Sequence, residues 1–229
     1  MNFESIPNLQ LPLFVYGEPV ENIVDLLPSI WNATEALASP DPITRHHGID
    51  ALLEFGAQRI LPLVAFMIAI CLSDPDIYIR RRVVYILADL INNEPVGRQA
   101  PENVRKVVTN YLHNMREETI FGILEVAVID PLVEKSIFYL LNTCPVAGKY
   151  LGDIIAQWKN PLSIRQKAVH FVGLVGYLEA LPVLERLLNR LEARQNGQYA
   201  MAFAPTSMKS SDEDILPYLR VAIHQLSAR

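Results

Sequence analysis

An internal repeat constrains this chain more than any other feature of its sequence. Residues 39–53 (SPDPITRHHGIDALL) align without gaps on residues 74–88 (DPDIYIRRRVVYILA), 35 positions later, and the alignment places Arg45 on Arg80. Both segments contain an Asp-Pro turn followed by apolar residues at helical spacing. A repeat of this length is typical of helix pairs, because one pair cannot bury its apolar face alone and needs a stacked neighbour.

A second ungapped match extends the repeat towards the C-terminal part of the chain. Residues 45–64 align on residues 165–184, which places Arg45 on Arg165 and a Leu-Pro pair on a second Leu-Pro pair. Short clusters of Pro, Gly, Asn and Asp separate the helical segments, and short connections favour antiparallel neighbours. Weaker similarity to the same pattern occurs in 130–141, 161–172 and 214–226.

The pattern resembles a known repeat family. An Asp-Pro or Asn-Pro turn, an apolar-Arg pair, a glycine and a Leu-Pro in the next helix together resemble HEAT repeats, including the HEAT-like repeats of phycobilin lyases. The resemblance covers about residues 28–92 and 130–228, whereas residues 95–129 fit it poorly. It implies an all-α fold, an α-solenoid of stacked antiparallel helix pairs, with residues 1–229 forming a single domain.

Helical periodicity runs through the chain, and alternation typical of strands is missing. We expect an irregular N-terminal arm at residues 1–20 and a long loop at residues 195–211. The predicted helices are 21–38, 42–55, 57–72, 76–92, 102–116, 118–128, 131–143, 146–158, 161–175, 178–194 and 212–227.

Composition limits where such a protein works and what it binds. The formal charge is −5, which argues against nucleic acid as the main ligand, because phosphate binding requires a positive surface. The most apolar run, residues 60–72, contains Pro62 and is shorter than the ~20 residues that span a bilayer. The start of the chain does not read as a signal peptide. With Cys71 and Cys144 in apolar surroundings, we predict a cytoplasmic protein with reduced cysteines and no membrane association.

The second helix of each repeat carries the candidate binding residues. Apolar residues after the repeated arginine, such as Val83, Val84 and Leu87, are expected to face the core. The resemblance implies that the opposite sides of these helices line the concave surface, where partners bind. The predicted partner-binding residues are Arg81, Arg82, Tyr85, Asp89, His46, His47, Asp50, Gln166, Lys167 and His170.

Arg81, Arg82 and Tyr85 are the expected anchors of this surface, because arginine and tyrosine are enriched in interface hot spots. Reversing the charge of both arginines is therefore predicted to abolish binding and to leave thermal stability nearly unchanged. The recurring arginines have a different expected role. In HEAT-like arrays such an arginine pairs with an aspartate of a neighbouring turn, which here implies that Asp41, Asp74 or Asp76 pairs with members of the set Arg45, Arg80, Arg165 and Arg220.

Signatures of catalysis and metal binding are scarce. His46 and Asp50 share a helix face and could ligate a metal, but the sequence offers no second cluster. The di-iron hydroxylases built on HEAT repeats use His-Glu pairs, and this chain has no His-Glu dipeptide. Phosphate-binding, nucleophile-elbow and zinc-protease motifs are also missing. We therefore predict no catalytic residue, no metal and no cofactor.

The leading hypothesis is a non-enzymatic scaffold that binds a protein partner on the concave face. The alternative that the family resemblance permits is a phycobilin or tetrapyrrole lyase-like subunit, in which Arg81, Arg82, Tyr85 and His170 would hold propionates and ring edges. A nucleic-acid-binding protein is a third reading, based on the arginine cluster at 80–82 and on Arg186, Arg190 and Arg194, which are spaced four residues apart on one predicted helix. Neighbouring acidic residues and the overall charge count against it.

Overall fold

The computed structural model describes residues 23–92, 99–195 and 213–228. Within these ranges the protein folds into twelve α-helices and contains no strand, which confirms the all-α prediction. Short 3-10 turns at Cys71–Ser73, Pro131–Val133, Leu178–Ala180 and Glu213–Ile215 join or extend them. The helices are α1 (Ile23–Ala36), α2 (Pro42–Glu54), α3 (Ala57–Ile60), α4 (Pro62–Ile70), α5 (Ile77–Ile91), α6 (Glu102–His113), α7 (Glu117–Ile129), α8 (Glu134–Thr143), α9 (Ala147–Ala156), α10 (Leu162–Val175), α11 (Leu181–Gln195) and α12 (Leu216–Ser227).

The helix predicted over residues 57–72 is wrong, because the structure divides it into α3 and α4. Leu61 interrupts the helix with extended backbone angles (φ −109°, ψ 111°), and Pro62 opens α4 at its first position. Proline favours an extended conformation in the residue before it, and its missing N–H costs nothing at the start of a helix. The Leu-Pro of the repeat therefore marks a helix start.

Aspartates of the repeated turns cap the helices that follow them. The Asp41 side chain accepts a hydrogen bond from the Thr44 backbone N–H at 2.9 Å, and Asp76 accepts one from the Tyr78 backbone N–H at 2.8 Å. The side-chain and backbone hydrogen bonds from Thr44 lower the pKa of Asp41 below its usual value. Each cap satisfies N–H groups that have no partner inside the helix.

Successive helices pack on one another along the chain. Helix α1 packs against α2, α5 packs against α7 and α8, and α10 packs against α9 and α12. Helix α6 lies against α4, α5 and α8, in the part of the sequence that fits the repeat poorly. The buried apolar side chains form one continuous cluster. No helix in the described parts of the chain is long and apolar enough to cross a membrane.

Three of the four recurring arginines are buried, and one of these, Arg45, pairs as predicted. Arg45 donates two hydrogen bonds to Asp74, from Nε to Oδ2 at 2.7 Å and from Nη2 to Oδ1 at 2.8 Å. Arg80 and Arg165 are also buried. Arg45 therefore confirms the expected arginine–aspartate pair between a helix and the next turn.

Arg80 and Arg220 bind different groups, so the aspartate prediction is wrong for these two arginines. Arg80 donates to the Asp74 carbonyl at 2.7 Å and to Glu125 Oε2 at 2.6 Å. Arg165 donates to the carbonyl of Ile155. The exposed Arg220 donates back to Glu192 of α11.

Candidate partner-binding face

The side chains of α5 point as the helical period predicts. Val83, Val84 and Leu87 are completely buried. Arg81, Tyr85 and Asp89 are exposed, and Arg82 is half-buried. The outward orientation predicted for this helix is therefore confirmed.

A first cluster joins α5 to α2. Arg82 Nη1 lies 3.1 Å from His46 Nδ1, and Arg82 also forms an ion pair with Asp50. His46 Nε2 lies 4.0 Å from Asp76 Oδ1. His46 and Asp50 thus face the same way, but a guanidinium lies between them. No group of three or more His, Cys, Asp or Glu residues in the described ranges is placed to hold a metal ion.

A second cluster centres on Asp130, at the turn that leads into α8. Its carboxylate accepts hydrogen bonds from Arg81 Nε at 2.7 Å, from the Tyr85 hydroxyl at 3.0 Å and from the Leu132 backbone N–H at 2.9 Å. Partial desolvation opposes the charged form, but these three donors outweigh it and hold the pKa of Asp130 below its usual value. Burial, followed by the hydrogen bond to Asp130, raises the pKa of Tyr85, so this hydroxyl stays a neutral donor.

The two clusters change the expectation for Arg81 and Arg82. Both guanidinium groups pair with carboxylates of the same chain, so neither is an unpaired cation awaiting a ligand. Reversal of Arg81 would place a second carboxylate against the buried Asp130. A nearly unchanged stability is therefore no longer expected for the double charge reversal. The exposed Asp89 is paired in the same manner, with Arg59 of α3.

A third group gathers on α10. Gln166, Lys167 and His170 line one open pocket of about 280 Å³ together with Val128, Glu134, Ser163 and Tyr218. His170 Nε2 lies 2.9 Å from Glu134 Oε1. The Gln166 side chain donates to the Asp214 carbonyl at 3.1 Å, which ties α10 to the turn before α12.

A second open pocket of about 290 Å³ adjoins the first. His170 and Tyr218 line both pockets, and the second continues along α12 over Pro217, Val221, Ala222 and Gln225. Tyr218 and Val221 are exposed although both are large and apolar in part. We call this continuous surface the His170 face, and its members are Val128, Glu134, Gln166, Lys167, His170, Tyr218 and Val221.

No family model, curated protein or solved structure matches this chain. Function is therefore inferred from the chemistry of the face itself.

The ten predicted residues do not form one site. His46, Asp50 and Arg82 belong to one ion-pair cluster, Arg81 and Tyr85 to another, and the three α10 residues to the His170 face. Asp89 lies apart, with Arg59, and His47 is exposed on α2.

Sequence reasoning missed several residues that complete these surfaces. Asp130 was visible as part of an Asp-Pro turn, and the repeated pairing of such turns with a preceding arginine could have identified it. Glu134 and Tyr218 had no such signal, because they reach the His170 face only through the packing of α8 and α12 on α10. Leu132 is 84% exposed beside Asp130, and its exposure depends on the turn rather than on a helical period.

Proposed function

We propose that this protein is a non-enzymatic interaction module that binds a protein partner on the His170 face. One observation carries the proposal: two adjoining pockets share His170 and Tyr218 and are rimmed by exposed apolar side chains. Protein interfaces are enriched in tyrosine and in apolar groups at their centre, with polar groups around them. Contiguous exposed apolar surface of this kind is typical of a binding surface.

We also infer that the helix pairs stack as a HEAT-like solenoid. Two links between repeats support this inference. Arg45 binds the turn aspartate Asp74 that precedes α5, and Arg81 of α5 binds the turn aspartate Asp130 that precedes α8. Each arginine thus ties one helix to the turn of the next pair, as stacking of equivalent units requires. In the second link the arginine is Arg81, one position after Arg80, the residue that aligns with Arg45 in the repeat.

The charge pairing favours a protein partner over a pigment or a nucleic acid. Tetrapyrrole propionates and phosphates both need cations that carboxylates do not already neutralise. Arg81 and Arg82, the cations named for both alternatives, are paired with Asp130 and Asp50. Among its described residues, the His170 face carries one lysine, Lys167, and the acidic Glu134. Its chemistry suits an amphipathic peptide surface better than a polyanion.

Photo-crosslinking in extract of the native cell tests the proposal. A benzophenone amino acid replaces Tyr218 in one form of the protein and Trp158 in a control form, since both positions are exposed aromatic residues. We expect a discrete crosslinked protein from position 218 and none of the same mass from position 158. The same product from both positions, or none from position 218, would contradict a partner site on the His170 face.

Substitution then measures the contribution of the face. Replacing Tyr218 and Val221 with serine should weaken capture of the crosslinked protein by roughly tenfold or more, because losing interface anchors costs upwards of about 2 kcal/mol. The matched control replaces Leu178 with serine, because Leu178 is similarly exposed and lines neither pocket. Equal capture by the two variants would contradict binding of the partner on the His170 face.

A further inference from the structure

A second apolar surface lies at the other end of the helix order, on α1 and α4. It contains an open groove of about 640 Å³, in which buried Ile30 and Val64 form the floor. Trp31 is 65% exposed and Leu63 is 60% exposed on its walls. We call it the Trp31 groove. The groove is built from described residues alone, and the arm predicted at residues 1–20 lies outside the described ranges.

Exposed apolar side chains surround this groove on both helices. Leu63, Phe66 and Ile70 follow one another at helical spacing, so they share one side of α4. Leu27 and Trp31 lie four positions apart on α1 and line the groove together with Leu63. We call these five residues the Trp31 face. Contiguous apolar surface of this kind is unfavourable in water and is typical of a protein interface.

The absence of charge on this surface favours a second copy of the chain as its partner. No acidic or basic side chain lines the groove among the described residues. The whole chain carries a net charge of −5, so two copies repel each other in most orientations. In a twofold dimer the same surface of both copies meets, so any charge within it would be present twice and would lose its water. An uncharged apolar face meets its own copy without this penalty.

The shape of the surface is also self-complementary. Trp31 is a large exposed side chain, and an open groove lies directly beside it. A twofold axis brings each element of the surface against its counterpart in both directions, so each indole can enter the groove of the other copy. A groove of about 640 Å³ is within the size range of pockets that hold whole small molecules, so it has room for one indole ring.

The exposed area corresponds to a weak dimer. A large aromatic side chain buries roughly 150–250 Å² when it is fully covered, so the exposed parts of the five side chains of the Trp31 face amount to roughly 400 Å² in each copy. With the half-buried lining residues, two copies would cover roughly 1,000 Å² together, which is the lower limit for a specific interface. Association at this limit depends on protein concentration.

We propose that two copies of this protein associate through their Trp31 faces around a twofold axis. Each Trp31 enters the Trp31 groove of the other copy, and the apolar side chains of the two α4 helices cover one another. The Trp31 face shares no residue with the His170 face, so this inference does not depend on the proposed function.

Sedimentation equilibrium of the full chain tests the proposal between about 5 μM and 500 μM, a range in which a weak dimer forms by mass action. We expect the mass to rise from that of a monomer towards that of a dimer. Leu63→Asp places a carboxylate in the apolar contact and should raise the dissociation constant by more than about tenfold. Leu178→Asp is the matched control, because Leu178 is 58% exposed and does not line the groove, and it should associate like the parent.

Tryptophan emission locates the contact. The protein has two tryptophans, and Trp158→Phe leaves Trp31 as the sole emitter. In this background Trp31 emission should shift to shorter wavelength over the same concentration range in which the mass rises, because the indole leaves water. With Leu63→Asp added, the emission should stay at long wavelength at every concentration. Circular dichroism of all variants shows whether the helices are intact.

Four results would overturn the proposal. The first is a monomer with exposed Trp31 at every concentration, and the second is a dimer that forms equally well in Leu63→Asp. A monomer in which Trp31 is shielded even at high dilution would assign the cover to the same chain. A monomer in which Trp31 emission shifts only when phosphatidylcholine vesicles are added would assign the face to a lipid surface. Crosslinking from position 218 reports on the His170 face separately, so the two failures are distinguishable.

Discussion

Arg45 and Asp74 form an ion pair whose side chains are only 8% and 5% exposed. The guanidinium also donates to the carbonyls of Ser39 and Pro40, so it holds the start of α2 as well as the next turn. The hydrogen bonds to Asp74 raise the pKa of Arg45, which keeps it charged at every accessible pH. Its removal leaves a buried carboxylate with no counter-ion, which is costly.

We therefore expect Arg45→Met to lower the free energy of unfolding by about 3 kcal/mol, near the lower end for a broken buried pair. Urea denaturation at pH 7 measures the effect. Arg220→Met is the matched control, because the Arg220–Glu192 pair is exposed and such pairs contribute about 0–1 kcal/mol. Equal losses in the two variants would show that burial of the Arg45 pair has no energetic consequence.

The lowered pKa of Asp130 makes the free energy of unfolding depend on pH. Its three donors lower the folded-state pKa below the value of about 3.9 expected in the unfolded chain. The contribution is therefore complete above about pH 4 and is lost as the pH falls through the folded pKa. Asp130→Asn cannot make this contribution at any pH.

The stability difference between the parent and Asp130→Asn is expected to be largest near pH 7 and smaller at about pH 3, because the unfolded carboxylate, with a pKa of about 3.9, is then largely protonated. Urea midpoints of both proteins at the two pH values measure it. Asp153→Asn, an exposed position on α9, provides the control and should show no such trend. A difference that grows on acidification would contradict the sign of the pKa shift.

Helical periodicity predicted which side chains of α5 face outward, but not which groups they meet. The carboxylates that bind Arg81 and Arg82 lie 49 and 32 positions away in the sequence. Such pairs depend on how neighbouring helices stack, which one sequence does not specify at the precision of a hydrogen bond. The direction of each side chain was therefore predictable from the sequence, whereas the carboxylate that pairs with it was not.

At the scale of helices, the turn residues made the boundaries predictable. Asp41 and Asp76 were visible as Asp-Pro or Pro-Asp clusters, and α2 and α5 begin at the next residue in each case. The break between α3 and α4 was missed because the apolar run around Pro62 was treated as one buried helix. In an apolar stretch without other turn residues, the sequence does not distinguish a proline that begins a helix from a proline inside a helix.

Helix α5 contacts three of its successors, α6, α7 and α8, and Leu87 is fully buried within it. Leu87→Asp removes an apolar side chain and introduces a charge with no partner, at a combined cost of roughly 4 kcal/mol or more. This is a large fraction of the total stability of a domain, about 5–15 kcal/mol. We expect loss of helical circular dichroism or unfolding well below the melting temperature of the parent.

Tyr78→Asp in the first turn of the same helix is the matched control, because Tyr78 is exposed and an acid is favourable near a helix N-terminus. Its melting temperature should stay within a few degrees of the parent. If both variants melt alike, α5 is not the central element that its contacts indicate.

At the scale of the whole molecule, the net charge of −5 and the pairing of cations with carboxylates determine how strongly the protein binds polyanions. Arg45, Arg59, Arg80, Arg81 and Arg82 are each paired with a carboxylate of the same chain. Phosphate binding draws its free energy from release of counter-ions by unpaired cations, so little is available from this set. The arginine cluster at 80–82 looked basic in the sequence, and its neutralisation follows only from the fold.

We therefore expect no change in the fluorescence anisotropy of labelled duplex DNA at about 10 μM protein and 0.15 M salt, where proteins with a basic surface bind non-specifically with Kd values of about 10⁻⁴–10⁻⁶ M. Asp50→Asn with Asp89→Asn removes one carboxylate partner each from Arg82 and Arg59 and raises the net charge. This variant should bind weakly at 0.05 M salt and release the DNA as salt rises. Tight binding by the parent with a steep salt dependence would mean that the ion pairs open to admit phosphate, and would restore the nucleic-acid reading. Binding by neither protein would show that the described cations are too dispersed to hold a duplex, even after these two carboxylates are removed.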